Sequence, residues 1–300
     1  MGKMHADELD IDITLVARLL AGQFPHWADL PIERVEPAGT DNAMYRLGND
    51  MTLRLPRIGW ASNAPAREFH WLPRLAPLLP LAIPVPIALG APAEGYPWQW
   101  SICRWLEGER ATLDRIADAG QAAIDLARFI RALQTVDPTD GPPPDGRGEP
   151  LATRDEWTRA SIAALAGVID VDVVTAAWEA ALHAPEWPGP PVWIHGDLDS
   201  RNMLVEQGRL SAVLDFGSMA VGDPACDVMV AWKMLPEEHR DAFRTALSVD
   251  DATWARARGW VLSQALMVLS YYTMENNPVL VLECRRWMAE VLADHSQPSG

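Results

Sequence analysis

Residues Val192 to Asp227, VWIHGDLDSRNMLVEQGRLSAVLDFGSMAVGDPACD, decide how this chain is read. The short apolar run Val192-Trp193-Ile194 has the make-up of a buried strand and delivers His195-Gly196-Asp197 to its end. Asn202 follows in a polar loop, which sets an Asp and an Asn in the spacing D-x-x-x-x-N. Met203-Leu204-Val205, a Gln207-Gly208 turn and a second apolar run, Ala212-Val213-Leu214, then lead to Asp215-Phe216-Gly217. Two strands joined by a hairpin are expected to aim the oxygens of Asp197, Asn202 and Asp215 at one place.

That set suits phosphoryl transfer, in which a protein mainly positions groups and neutralises charge. Asp197 can accept the proton of an attacking hydroxyl, Asn202 can offer a neutral oxygen to magnesium, and Asp215 an anionic one. A metal-dependent phosphohydrolase could use a similar carboxylate pair, and H-G-D or D-F-G alone could be a turn or a strand end. Their order, each behind an apolar run, argues for the joint reading. His195 lies behind a buried strand and before a Gly, which favours hydrogen bonding to the loop backbone over work as a base.

The stretch resembles the catalytic core of the aminoglycoside phosphotransferase family, within the protein-kinase-like superfamily. The kinase pattern H-R-D-x-x-x-x-N with D-F-G is met by His195, Asp197, Asn202 and Asp215-Phe216-Gly217, except that Gly196 stands where a protein kinase has Arg. Only Ser218 to Gly222 separate Gly217 from Asp223-Pro224, and no A-P-E follows, so there is no room for a long activation segment. A small-molecule kinase is therefore favoured over a protein kinase.

The resemblance implies an α+β, two-lobed protein-kinase-like fold, with a small antiparallel β-sheet N-lobe and a mostly helical C-lobe. Residues 1–102 would form the nucleotide-binding lobe, 103–108 the hinge, and 109–300 the catalytic and substrate-binding lobe. ATP or GTP with Mg2+ would be the cofactors. The acceptor would be a hydroxyl of a small molecule, an aminoglycoside or another antibiotic. The alternatives are a kinase of a small metabolite of the choline, homoserine or sugar type, and a non-catalytic nucleotide-binding pseudokinase.

Elsewhere the residues fit that frame. Ile13 to Phe24 reads as a helix with Asp12 ahead of it. Ile32 to Val35, Ala43 to Leu47 and Met51 to Leu55 read as strands, the last two joined by Gly48-Asn49-Asp50. The loop before the second strand should cover the nucleotide phosphates; it holds only Gly39, so backbone amides with Thr40 and Asn42 are the candidates. Lys3 and Lys233 are the only lysines, so no Lys is available for the phosphate-binding position on the third strand. Alternation puts Arg54 on that strand's polar face, with Arg57 as the alternative. Arg holds phosphate bidentately and stays charged. Glu68, on a helix from Ala64 to Leu75, would pair with Arg54 as the helix Glu pairs with Lys in kinases. Ile87 to Gly90 and Tyr96 to Trp105 read as strands, and Cys103 and Trp105 fall where the family meets the adenine.

Ala117 to Val136, Glu156 to Leu165 and Val171 to His183 carry helical periodicity, and DPTDGPPPDGRGEP, residues 137–150, is by composition a mobile loop. Asp223, with Pro224 next, should cap a helix from Ala225 to Met234, and Asp227 should brace the catalytic loop. Pro236 to Leu247, Ala252 to Tyr272 and Val279 to Ala293 complete a helical end. Carboxylates suited to a cationic acceptor are Asp199, Glu275 and Glu283.

The formal net charge of −16 argues against nucleic acid or an anionic membrane as a partner and is compatible with a cationic acceptor. Three widely spaced cysteines make neither a disulfide framework nor a zinc site. The apolar stretch Trp260 to Tyr272 is too short to span a bilayer, and MGKMHADELD carries no leader pattern. A cytoplasmic protein is the expectation.

Overall fold

A computed structural model describes residues 8–35 and 41–296. Two units separate by their internal packing: Met1–Glu109 with Ser211–Gly217, and Arg110–Leu210 with Ser218–Gly300.

The first unit opens with α1 (Ile13–Gln23), whose N-terminus is capped by Asp12 accepting from the Leu15 amide at 2.7 Å. Next come β1 (Ile32–Arg34), β2 (Asn42–Leu47), β3 (Met51–Pro56), α2 (Ala64–Leu75), β4 (Pro86–Gly90) and β5 (Trp100–Arg104). The strands form one antiparallel sheet in the order β1-β2-β3-β5-β4. Its core is built on Val16, Leu19, Tyr45, Leu53, Leu55 and Trp100. The strand expected over Tyr96–Trp105 begins only at Trp100, because Tyr96 instead pairs with Ala93 across a tight turn.

Period-two alternation gives β3 a polar face, and that face is not exposed. Thr52 and Arg54 are 5% and 6% exposed. A guanidinium at that depth is tolerated only with a partner. Glu68 on α2 supplies it.

The second unit begins in β6 (Glu109–Arg110), which the division cuts. It continues through α3 (Ala119–Gln134), α4 (Asp155–Ala164), α5 (Val171–Leu182), β7 (Val192–Ile194), β8 (Met203–Glu206), the start of β9 (Arg209–Val213), which the division also cuts, and β10 (Ala220–Gly222). The helices α6 (Ala225–Val228), α7 (Val230–Lys233), α8 (Glu237–Leu247), α9 (Asp251–Tyr271) and α10 (Pro278–Ser296) follow. β6, β8 and β9 make a three-stranded sheet in that order, and β7 pairs with β10. The single helix expected over 225–234 is two short ones that meet at Met229. α9 packs against α4, α5, α6 and α10 and is buried nearly all round, from Trp254 to Leu266. Among the described residues no helix is long and apolar enough to cross a membrane.

The segment 137–150, mobile by composition, is tied down. Pro142 accepts from the Val221 amide at 2.8 Å, Gly148 from the Asp223 amide at 2.8 Å, and Asp137 from the Trp193 indole at 3.0 Å. Gly148 and Gly222 allow this approach: a Cβ on Gly222 would lie 2.4 Å from the Gly148 carbonyl oxygen. Composition registers the Pro and Gly content but not the backbone partners that the β7–β10 pair offers.

Candidate active site

In the first unit three of the predicted residues meet. Arg54 donates from Nη1 to Glu68 Oε2 at 2.6 Å and from Nη2 to Asp215 Oδ1 at 3.2 Å. Burial opposes the charge on Arg54, but Glu68 and then Asp215 outweigh it and hold the guanidinium more firmly protonated than usual. Burial pushes the Glu68 carboxyl up, and Arg54 offsets this only in part. Arg57 stands apart from this set, 3.9 Å from Glu8.

Asp215 has φ +60°, a left-handed conformation that an L-residue with a Cβ adopts at a cost of about 1–2 kcal/mol. The turn ends β9 abruptly and leaves the Asp215 side chain 43% exposed, with one oxygen engaged by Arg54. Strain of this kind is characteristic of positions held for a purpose. Arg67 donates to the Gly217 carbonyl and fixes the turn from the α2 side.

Asn42 begins β2 opposite Pro56 and is buried, while Thr40 lies outside the described residues. Cys103 is fully buried, opposite Thr52, and burial pushes its thiol up to about 11. Trp105 carries the Arg46 guanidinium 4.5 Å over its ring, and its amide donates to the Asp50 carbonyl at 2.8 Å.

In the second unit β7 delivers His195, Gly196 and Asp197. Asp227 is fully buried and accepts from the amides of His195 at 2.7 Å and Gly196 at 2.8 Å, the bracing that the sequence suggests. Burial pushes its carboxyl up against those bonds. His195 Nδ1 accepts from the Asp197 amide at 3.2 Å, so this ring nitrogen serves the backbone. Asp223 accepts from the Ala225 amide at 2.9 Å and is gripped by Arg256 at 2.7 and 3.1 Å.

Gly196 has φ +83°, and a Cβ there would lie 2.6 Å from the Ser218 carbonyl oxygen. No side chain, Arg included, fits this position. Gly196→Ala should lower stability by about 3 kcal/mol, the sum of left-handed strain and overpacking, read as a drop in the urea midpoint. An unchanged midpoint would refute the constraint.

Asp197 is about one-third exposed, at 32%. Asn202 Nδ2 donates to its carbonyl at 2.9 Å and its carboxylate at 3.2 Å. Two cations that the sequence reading did not place flank the same carboxylate: Lys233 at 3.6 Å and Arg147 at 3.9 Å. Burial would raise Asp197, but Lys233 and then Arg147 prevail and hold it below the usual carboxylate range. The one available signal was Lys233 itself, a lone charge within the apolar run VMVAWKML. Arg147 sits in the segment read as mobile, which hid it.

Asp199 is not the free carboxylate expected of an acceptor contact. It is 1% exposed, accepts from Arg201 at 2.5 and 3.1 Å, and lies 3.4 Å from Lys233. Burial opposes its charge, yet Lys233 and Arg201 together hold it well below the usual carboxylate range. Glu275 is exposed in the α9–α10 connection. Glu283 is half-buried, one of its oxygens has no hydrogen-bond partner, and its charge reaches Arg201.

Among the described residues no group of three or more His, Cys, Asp or Glu could hold a metal by itself. A magnesium ion that relies on one carboxylate, a neutral oxygen and nucleotide phosphates needs no such group.

The fold is that of the protein kinases: the GDP complex of wild-type aminoglycoside 2'-phosphotransferase-IIIa superposes with a TM-score of 0.77 over 95% of this chain and 100% of that one, at 18% identity. Residues 33–260 match the phosphotransferase enzyme family APH, and the chain belongs to that family. It is similar to the apoenzyme of macrolide 2'-phosphotransferase MphH from Brachybacterium faecium, at 25% identity and TM-score 0.61 over 96% of this chain and 100% of that one. An aminoglycoside 3'-phosphotransferase from Escherichia coli is 26% identical over 46% of this chain and 53% of its own length. This chain thus spans about half the length of the curated relative it matches.

Proposed function

We propose that the protein transfers the γ-phosphate of ATP or GTP, with magnesium, to a hydroxyl of a small molecule. The observation that carries this reading is the buried Arg54–Glu68 pair that also reaches Asp215, because it sets a permanently charged, bidentate phosphate ligand beside a carboxylate. Asp197 orients the acceptor hydroxyl and takes its proton. Asn202 and Asp215 would hold the magnesium ion, which when bound would neutralise charge on the transferring phosphates. Arg54 grips the phosphates, Glu68 keeps Arg54 in place, and Thr40 and Asn42 belong to the loop that covers them. Residues 103–108, with Cys103 and Trp105, connect the nucleotide-binding part, residues 1–102, to the catalytic part, residues 109–300. His195, Asp223 and Asp227 support the loop that carries Asp197.

The relatives act on aminoglycosides or macrolides by name, which makes antibiotics the first acceptors to try. A second reading, a kinase of a small metabolite, is favoured by the cations gathered about Asp197. ADP release with magnesium and ATP, measured against antibiotics and small alcohols, tests both readings. Nucleotide binding without turnover of any acceptor or of water would leave a pseudokinase.

Arg54→Ala should lower turnover by on the order of a hundredfold, whereas Arg57→Ala should change it less than about threefold, because only Arg54 reaches Asp215. The reverse ranking in steady-state kinetics would move the phosphate contact to Arg57.

A further inference from the structure

Of the chain's 25 Lys and Arg residues only Lys3 and Lys233 are lysines. Lys233 ends α7 with its side chain 1% exposed. An ammonium buried to that depth persists only where other groups take the place of water. Nζ lies 3.6 Å from Asp197 Oδ1 and 3.4 Å from Asp199 Oδ2, with the Gln264 side-chain amide at 3.3 Å and the centroid of the Trp287 ring at 5.0 Å. The backbone is held as well, because Arg286 on α10 donates to the Lys233 carbonyl at 2.6 Å.

Asp199 alone does not account for this lysine. That carboxylate already accepts from the Arg201 amide at 2.8 Å, from its Nε at 3.1 Å and from its Nη2 at 2.5 Å. Asp197 has no such dedicated ion pair. Its Oδ2 accepts from the Asn202 amide at 3.2 Å, and its Oδ1 faces two cations, Lys233 at 3.6 Å and Arg147 at 3.9 Å. Arg147 is 24% exposed, where water screens it, and its guanidinium also abuts the Gln264 amide. Lys233 meets Oδ1 from inside the protein, where screening is weakest. A compact ammonium can stand between two carboxylates in a way that a planar guanidinium fork cannot, and this is the place where an otherwise Arg-based chain uses Lys.

We propose that Lys233 is a positioning residue for phosphoryl transfer, holding the Asp197 carboxylate by Oδ1 from α7 in the orientation that receives the acceptor hydroxyl. This rests on the kinase reading above. In the transfer the acceptor oxygen bonds to the γ-phosphorus, the bond to the β,γ-bridging oxygen breaks, ADP leaves, and the hydroxyl proton passes to Asp197. Lys233 takes part in no bond change. At 1% exposure it does not meet the acceptor itself, so its loss belongs in kcat and not in nucleotide binding.

The test is a cycle on the full chain: Lys233→Met, Asp199→Asn and the two together. Each is assayed with magnesium and ATP for ADP release to water and to whichever antibiotic or small alcohol the parent turns over. ATP affinity by isothermal titration and the urea midpoint are measured beside it. Lys233→Met should lower kcat about thirtyfold or more, the scale of a misplaced reacting group, and leave ATP affinity within about twofold. Asp199→Asn should lower kcat less than about threefold, since Lys233 still holds Asp197. The pair should be as slow as Lys233→Met yet regain part of its urea midpoint, because a buried cation and a buried anion are removed together. The pair also serves if Lys233→Met alone does not fold. A pair as fast as Asp199→Asn would show that Lys233 serves only Asp199 and would overturn the proposal. So would a Lys233→Met enzyme with the parent's kcat, or one whose loss lies in ATP affinity. In those cases ADP release by the parent keeps the kinase reading, whereas a parent that releases no ADP to water or to any acceptor removes both.

Discussion

An Asp197→Asn enzyme should bind ATP as the parent does and turn it over on the order of a thousandfold more slowly, the usual scale for removing a positioned base. The expectation follows from where Asp197 sits. It ends β7 on a loop whose backbone is clamped by Asp227, one-third of its side chain is open, and Lys233 and Arg147 keep it ionised. None of those contacts involves the groups assigned to nucleotide phosphates. Isothermal titration with ATP and magnesium, beside ADP-release kinetics, separates the two effects. Loss of ATP affinity in a folded variant would take the base assignment away from Asp197.

Asp215→Ala should remove the magnesium dependence of nucleotide binding altogether, along with measurable turnover. Among the described residues Asp215 is the only carboxylate that Arg54 reaches apart from Glu68, and its second oxygen takes no hydrogen bond from Arg54. With Asp215 gone, Asn202 offers a neutral oxygen alone, too weak to hold a hard divalent ion without phosphate help. The variant also leaves Arg54 with one carboxylate, which should strengthen the Arg54–Glu68 pair rather than loosen the fold. Equal ATP affinity in parent and variant, titrated with magnesium and with EDTA, would sink the metal role.

The stretch 192–227 was legible because its strands are short apolar runs and its polar residues sit at their ends. β7 has the bounds expected of it, and α2 spans Ala64 to Leu75 as its periodicity predicts. The Arg54–Glu68 pair could be named because strand alternation and the helix that follows leave few other charges. What stayed hidden came from long-range packing. No local pattern says that both faces of β3 are covered, that Asp215 turns left-handed, or that α7 carries Lys233 to within 3.6 Å of Asp197. β10 is three residues long, too short for any periodicity, yet it organises the segment that holds Arg147. Asp199 was misread for a related reason: a carboxylate two residues from its own Arg partner looks solvated in sequence and is 1% exposed in the fold.

The fastening of residues 137–150 also bears on how this gene can be engineered and how it can drift. A stretch rich in Pro, Gly and Asp would ordinarily be chosen for an epitope tag, a fusion junction or a circular-permutation cut. Here the carbonyls of Pro142 and Gly148, six positions apart in sequence, are both spoken for by amides in and just after β10. An added or deleted residue between them would slide Arg147 out of register with Asp197. Length polymorphism should therefore concentrate outside this interval, and the exposed turn at Gly167, where a Cβ would meet nothing within 4 Å, is the better place to cut or insert.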